Sequence, residues 1–136
     1  MRSALSRGNL EVERSYHMSP KVNLQIQFDL RCTAAEYRGL ADHVAGAIAR
    51  VPGLLWKLWI VDEERGRGGG NYLFADRAAA RAYLEGPIVS RLRDNPAVAG
   101  IEVRLFDVID EPSVLTRGLS PSVPMPKDLR AILTAV

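Results

Sequence analysis

Few side chains in this 136-residue chain could do chemistry. There are two histidines, His17 and His43, and one cysteine, Cys32. A lone thiol excludes an internal disulfide and a multi-cysteine zinc site. A nucleophilic Cys32 would need a base beside it. His43 follows it only about three helical turns later, so a small structural thiol is the better reading. His43 sits at the edge of an apolar helical stripe. Such a residue is either an ordinary boundary histidine or a general base at a pocket mouth. The stretch from Glu63 to Gly70 invites a phosphate-loop reading, but no Gly-Lys-Ser/Thr follows it. Its glycines also join two strands rather than a strand and a helix. It reads as a mobile hairpin loop that could serve as a lid. Trp56, Trp59, Tyr72 and Phe74 form an aromatic set. They make either plain core or the wall of a pocket for flat apolar ligands, with the Tyr72 hydroxyl as a polar handle.

The elements that must position these residues are legible from periodicity. Val22 to Leu30 alternates apolar and polar residues, as in a half-buried strand. Thr33 and Glu36 form a capping box. The helix that follows carries Tyr37, Leu40, Val44, Ile48 and Val51 at helical spacing and ends at Pro52-Gly53. Leu54 to Asp62 is a second strand, apolar on both faces, and Asn71 to Ala75 a third. Asp76 caps a second helix, which Gly86-Pro87 breaks. Ile101 to Val108 is a fourth strand. The fold class is therefore α+β: a ferredoxin-like βαββαβ order, with a four-stranded antiparallel sheet and helices on one face. Alternation places Trp56, Leu58 and Ile60 under the helices with Tyr72 and Phe74. It places Trp59, Arg104 and Phe106 on the open face, so Arg104 lies opposite Trp56. An open face holding a Trp and a Phe needs cover, and a second copy of the same sheet supplies it, giving a homodimer.

Composition narrows the class further. Charged residues are 25% and the net charge is only +2, which gives no electrostatic reason to invoke nucleic acid. No apolar run approaches the ~18 residues of a membrane span, so no membrane partner is expected. The first residues hold arginines but no apolar signal core, and a cytoplasmic location is expected. Residues 1–21 read as a poorly ordered leader, 22–110 as the ferredoxin-like domain and 111–136 as an irregular proline-rich arm.

Four segments carry a resemblance: Pro52 to Trp59, Gly69 to Asp76, Ala82 to Glu85, and Val103 to Val108 with Glu111-Pro112. Together they resemble the YdhR-type monooxygenases, which are similar to the small antibiotic-biosynthesis monooxygenases. The resemblance spans about Val22 to Ser113 and implies a dimeric α+β barrel. It implies a cofactor-independent monooxygenase in secondary metabolism, taking dioxygen and an aromatic or polyketide-like small molecule, with no metal or flavin. On that view His43 and Tyr72 are the catalytic candidates. Trp56, Trp59 and Phe74 are walls for the substrate, and Arg104 is a partner for its anion. The same pocket could instead serve a non-oxidative cyclisation, isomerisation or lyase step, or binding without turnover.

Overall fold

The computed structural model describes residues 20–120. The parts of the leader and the proline-rich arm beyond those limits lie outside the described residues.

Strand β1 (Val22–Leu30) is central, because Val22, Leu24, Ile26 and Phe28 are all buried on one side of it. Helix α1 (Ala34–Ala49) begins at Thr33, whose side chain accepts from the Glu36 N–H, while Glu36 reaches back to the Thr33 N–H. Strands β2 (Leu54–Asp62) and β3 (Arg67–Phe74) form a hairpin. Helix α2 (Arg77–Leu84) is capped by Asp76 and separated by Gly86 from helix α3, which Pro87 opens (Pro87–Asp94). Strand β4 (Val98–Asp107) completes the unit. The order across the sheet is β2-β3-β1-β4, all antiparallel. This is the ferredoxin-like arrangement the periodicity predicts, with its helices on one face.

The sheet corrects one strand. A register shift between Leu54 and Trp56 sets the phase of β2. Lys57 then pairs with Tyr72, and Trp59 with Gly70, so Lys57, Trp59 and Val61 face the helices. Trp56, Leu58 and Ile60 face outward and are exposed. The expected placement of Trp56 beside Tyr72 is therefore reversed. With apolar residues at both phases, alternation could not choose. The choice falls to packing: the large indole of Trp59 fits opposite a glycine. Arg104 is on the open face as expected, but it shares that face with Trp56 instead of lying opposite it.

The glycine run is also corrected. Arg67 to Gly70 is not a loop but the first half of β3, and Gly68, Gly69 and Gly70 are buried. A Cβ on Gly69 would run into the Ile26 carbonyl. One on Gly68 would meet the Tyr37 ring at 3.0 Å, and one on Gly70 the Lys57 Cε at 2.5 Å.

After β4 the chain forms a short helix, α4 (Asp110–Leu115), where an irregular arm is expected. It then turns back over the open face. The Trp56 indole N–H donates to the Gly118 carbonyl at 3.2 Å. Leu119 is buried there, and Leu73, which shares the open face, is buried too.

Candidate functional site

The sheet and helices do not close completely on each other. A cavity of about 340 Å³ lies between them, within the usual range for small-molecule sites. Strands β2 and β3 give its floor through Lys57, Trp59, Gly69 and Tyr72. Helix α1 gives one wall through Tyr37, Leu40, Val44 and Ile48, and α3 another through Ile88 and Leu92. Tyr83 of α2 closes the end. His43 and Arg91 line it as well, and both side chains are solvent-exposed, so they mark its rim. The lining includes no aspartate or glutamate.

The aromatic residues hold each other in place. Tyr72 and Tyr83 share a hydrogen bond of 3.0 Å between their hydroxyls, with ring centroids 5.1 Å apart. One hydroxyl must donate and the other accept, which leaves one phenolic proton for a ligand. Burial, with the neighbouring Tyr83 as a lesser cause, pushes Tyr72 well above the usual tyrosine range. Burial raises Tyr83 as well. Tyr72 therefore stays protonated and is not a phenolate base. The Tyr37 hydroxyl accepts from the Gly69 N–H and donates to the Gly69 carbonyl, both at 3.1 Å. That pair of bonds anchors the wall of the cavity to its floor.

Lys57 is the charged group on that floor. Its Nζ lies 3.2 Å from the centroid of the Trp59 ring and 4.4 Å from that of Tyr72. Among the described residues it has no carboxylate partner. Desolvation lowers its pKa from 10.5 to about 7. The aromatic faces oppose that shift by favouring the cation, and burial outweighs them because no full counter-charge is present.

The expected site residues thus separate. Tyr72 and Trp59 line the cavity, and His43 stands at its rim. Phe74 is fully buried behind Tyr72, stacked at 6.0 Å, and is core. Trp56 and Arg104 lie on the other side of the sheet. Arg104 faces a shallow polar depression with Gln25, Gln27 and Glu102 there. Sequence reasoning missed Lys57, Tyr37, Tyr83 and Arg91. A signal for Lys57 was present, since it is the one charged residue inside an otherwise apolar strand segment from Leu54 to Val61. Among the described residues no group of three or more His, Cys, Asp or Glu could hold a metal ion. Nor is any helix among them long and apolar enough to cross a membrane.

Fold and cavity define a class: small ferredoxin-like α+β proteins with a ligand chamber between sheet and helices. Solved structures with this fold superpose on the chain. The cofactor-independent oxygenase SnoaB of Streptomyces nogalater is 19% identical, with a TM-score of 0.56 over 68% of this chain and 96% of its own. The heme-degrader MhuD of Mycobacterium tuberculosis is 20% identical, with a TM-score of 0.52 over 66% of this chain and 96% of its own. At such identities the likeness shows the fold. No curated protein matches in sequence. The family model described as "Putative mono-oxygenase ydhR" matches residues 23–119, and the chain belongs to that family.

Proposed function

We propose that the protein is a cofactor-independent monooxygenase of a flat, electron-rich phenol or anthrone-like compound bound between the sheet and helices α1 and α3. One observation carries the reading: an aromatic, carboxylate-free cavity with a single half-buried amine on its floor. Such a chamber favours a planar ligand that becomes an anion. With a pKa of about 7, the Lys57 amine is poised to take the ligand's acidic proton at neutral pH. The resulting ammonium then pairs with the anion in a site of low dielectric, where that attraction is strong. The electron-rich anion reduces dioxygen directly. One oxygen atom ends as a carbonyl on the ring, and the other leaves as water with the two hydrogens the substrate loses, both from carbon in an anthrone and one each from carbon and hydroxyl in a phenol. Substrate is thus the only reductant the balance requires. Tyr72 and Tyr83 offer their remaining phenolic proton to the ligand's oxygen. His43 and Arg91 at the rim add positive or neutral polar groups, so nothing there repels an anion.

The homodimer belongs to the same proposal. Leu55, Leu58 and Phe106 remain exposed on or beside the open sheet face and require a second sheet as cover.

Oxygen uptake by chelator-treated protein tests the activity, with a panel of anthrones, naphthols and hydroquinones and tryptophan fluorescence recorded alongside. Uptake above the blank, rising with pH through about 7, is the expected result. Quenching without uptake would overturn the oxygenase and leave a non-oxidative or purely binding role for the cavity.

A further inference from the structure

Lys57 offers the cavity a second kind of chemistry that needs no oxygen. Its stem runs beneath Gly70, where any side chain would collide with its Cε. The glycine thus keeps open the track that brings the amine to the floor. There the nitrogen is flanked by two ring faces, at 3.2 and 4.4 Å from their centroids. Among the described residues neither an ion pair nor a hydrogen bond engages it. Ring faces accept no lone pair, so the amine's lone pair has nothing to oppose it except what enters the cavity.

We propose that Lys57 is a covalent capture site for aromatic aldehydes and ketones, which it binds as a reversible imine inside the cavity. The amine nitrogen attacks the carbonyl carbon and a C–N bond forms. The two nitrogen protons pass in turn to the carbonyl oxygen. Water then leaves as the C–O bond breaks, giving the C=N bond. No oxidant or reductant enters. The Tyr72 and Tyr83 hydroxyls line the same chamber, and the phenolic hydrogen they do not share hydrogen-bonds the departing oxygen without being transferred. The volume of about 340 Å³ admits a flat ligand of two or three fused rings and excludes bulky branched carbonyls. Desolvation supports the same assignment, since it leaves a substantial fraction of the amine neutral and nucleophilic near pH 7. The proposal shares its cavity with the oxygenase reading but is independent of dioxygen, so the two fail separately.

The chain has three lysines, Lys21, Lys57 and Lys127, which makes the test clean. The full-length protein is incubated without oxygen with 2-naphthaldehyde and cyanoborohydride, and the reduced adducts are mapped by peptide mass. Label at Lys57 is expected at least tenfold faster than at Lys21 or Lys127, with a rate that rises with pH through about 7. Lys57→Arg should remove that label and leave the other two unchanged. Equal labelling of the three lysines, or a Lys57 slower than the rest, would overturn the proposal. Because the decisive comparison is made within the wild-type chain, a variant that fails to fold leaves it intact. Oxygen uptake with a phenol, measured separately, tells a failed imine site from a failed oxygenase.

Discussion

At the scale of single residues, Lys57 is the group on which stability and chemistry conflict. A lysine whose folded-state pKa falls to about 7 loses its proton early on folding. The unfolded chain keeps that proton up to the ordinary value of 10.5. Between these two limits the unfolded state binds more protons, so stability must rise with pH across that window. The slope from this one group is at most about 1.4 kcal/mol per pH unit. Tyr37, Tyr72 and Tyr83 shift in the other sense. Their stabilising contribution is complete below pH 10 and is lost only above it, so they do not mask the lysine. Lys57→Met keeps the stem's packing and removes the proton. Urea unfolding of this variant between pH 6 and 9 should lack the wild type's rise, and it should be the more stable protein at pH 6. An identical pH slope in both proteins would mean that the amine is hydrated and not buried. The sequence hid this role because a lysine in a strand reads as a solvated residue. Only the neighbours across the sheet, Tyr72 and Gly70, show that it is enclosed. Tyr72 was legible as a polar handle within an aromatic set, whereas Trp59, named as a substrate wall, was expected on the open face and reaches the cavity only through the register of β2.

At the scale of elements, the βαββαβ succession along the chain, the capping box and the break at Gly86-Pro87 were all readable from local pattern, because each has a local physical cause. The phase of β2 was not. Its two faces are nearly equal in hydropathy, and a one-residue slip at Leu54/Trp56 exchanges every side chain between them. The glycine run failed for a related reason. Consecutive glycines usually signal a turn, whereas here they let Tyr37, Ile26 and Lys57 approach β3 closely. That approach is non-local and leaves no trace in the neighbouring sequence. The run therefore makes a strong prediction. Gly69→Ala forces a Cβ into the Ile26 backbone and should destabilise the domain by about 2 kcal/mol or more. Gly70→Ala meets only the Lys57 stem and should cost less, but it should displace the amine and weaken quenching by any cavity ligand. Denaturant midpoints and a binding titration of the two variants separate these effects. Equal midpoints for both would show that the backbone at Gly69 relaxes freely.

At the scale of the whole molecule, the question is what covers the open sheet face. The segment after β4 covers part of it, through the Trp56–Gly118 hydrogen bond and the buried Leu119. The rest stays apolar and bare: Leu58 is 60% exposed and Phe106 49%. On the central strands between these lie Asn71, Gln25 and Asn23, and at the end of the sheet away from Phe106 Arg67 bridges Asp29 at 2.8 Å and Glu102 at 3.3 Å. A face with apolar edges, a polar centre and both signs of charge at one end is suited to an identical copy, because a two-fold axis sets each patch against its own kind or its complement. A dimer of ordinary stability buries about 800 Å² per partner, and one face of a four-stranded sheet can supply most of that. Light scattering at micromolar concentration should therefore give twice the chain mass of 15.0 kDa. Leu58→Lys places a charge at the most exposed apolar position of the face and should shift the protein to monomer. It should leave the cavity's ligand binding largely intact, because Leu58 points away from the cavity. A wild-type monomer would sink the pairing outright. A dimer unchanged by Leu58→Lys would move the interface off this face, and the bare leucines would then need another occupant.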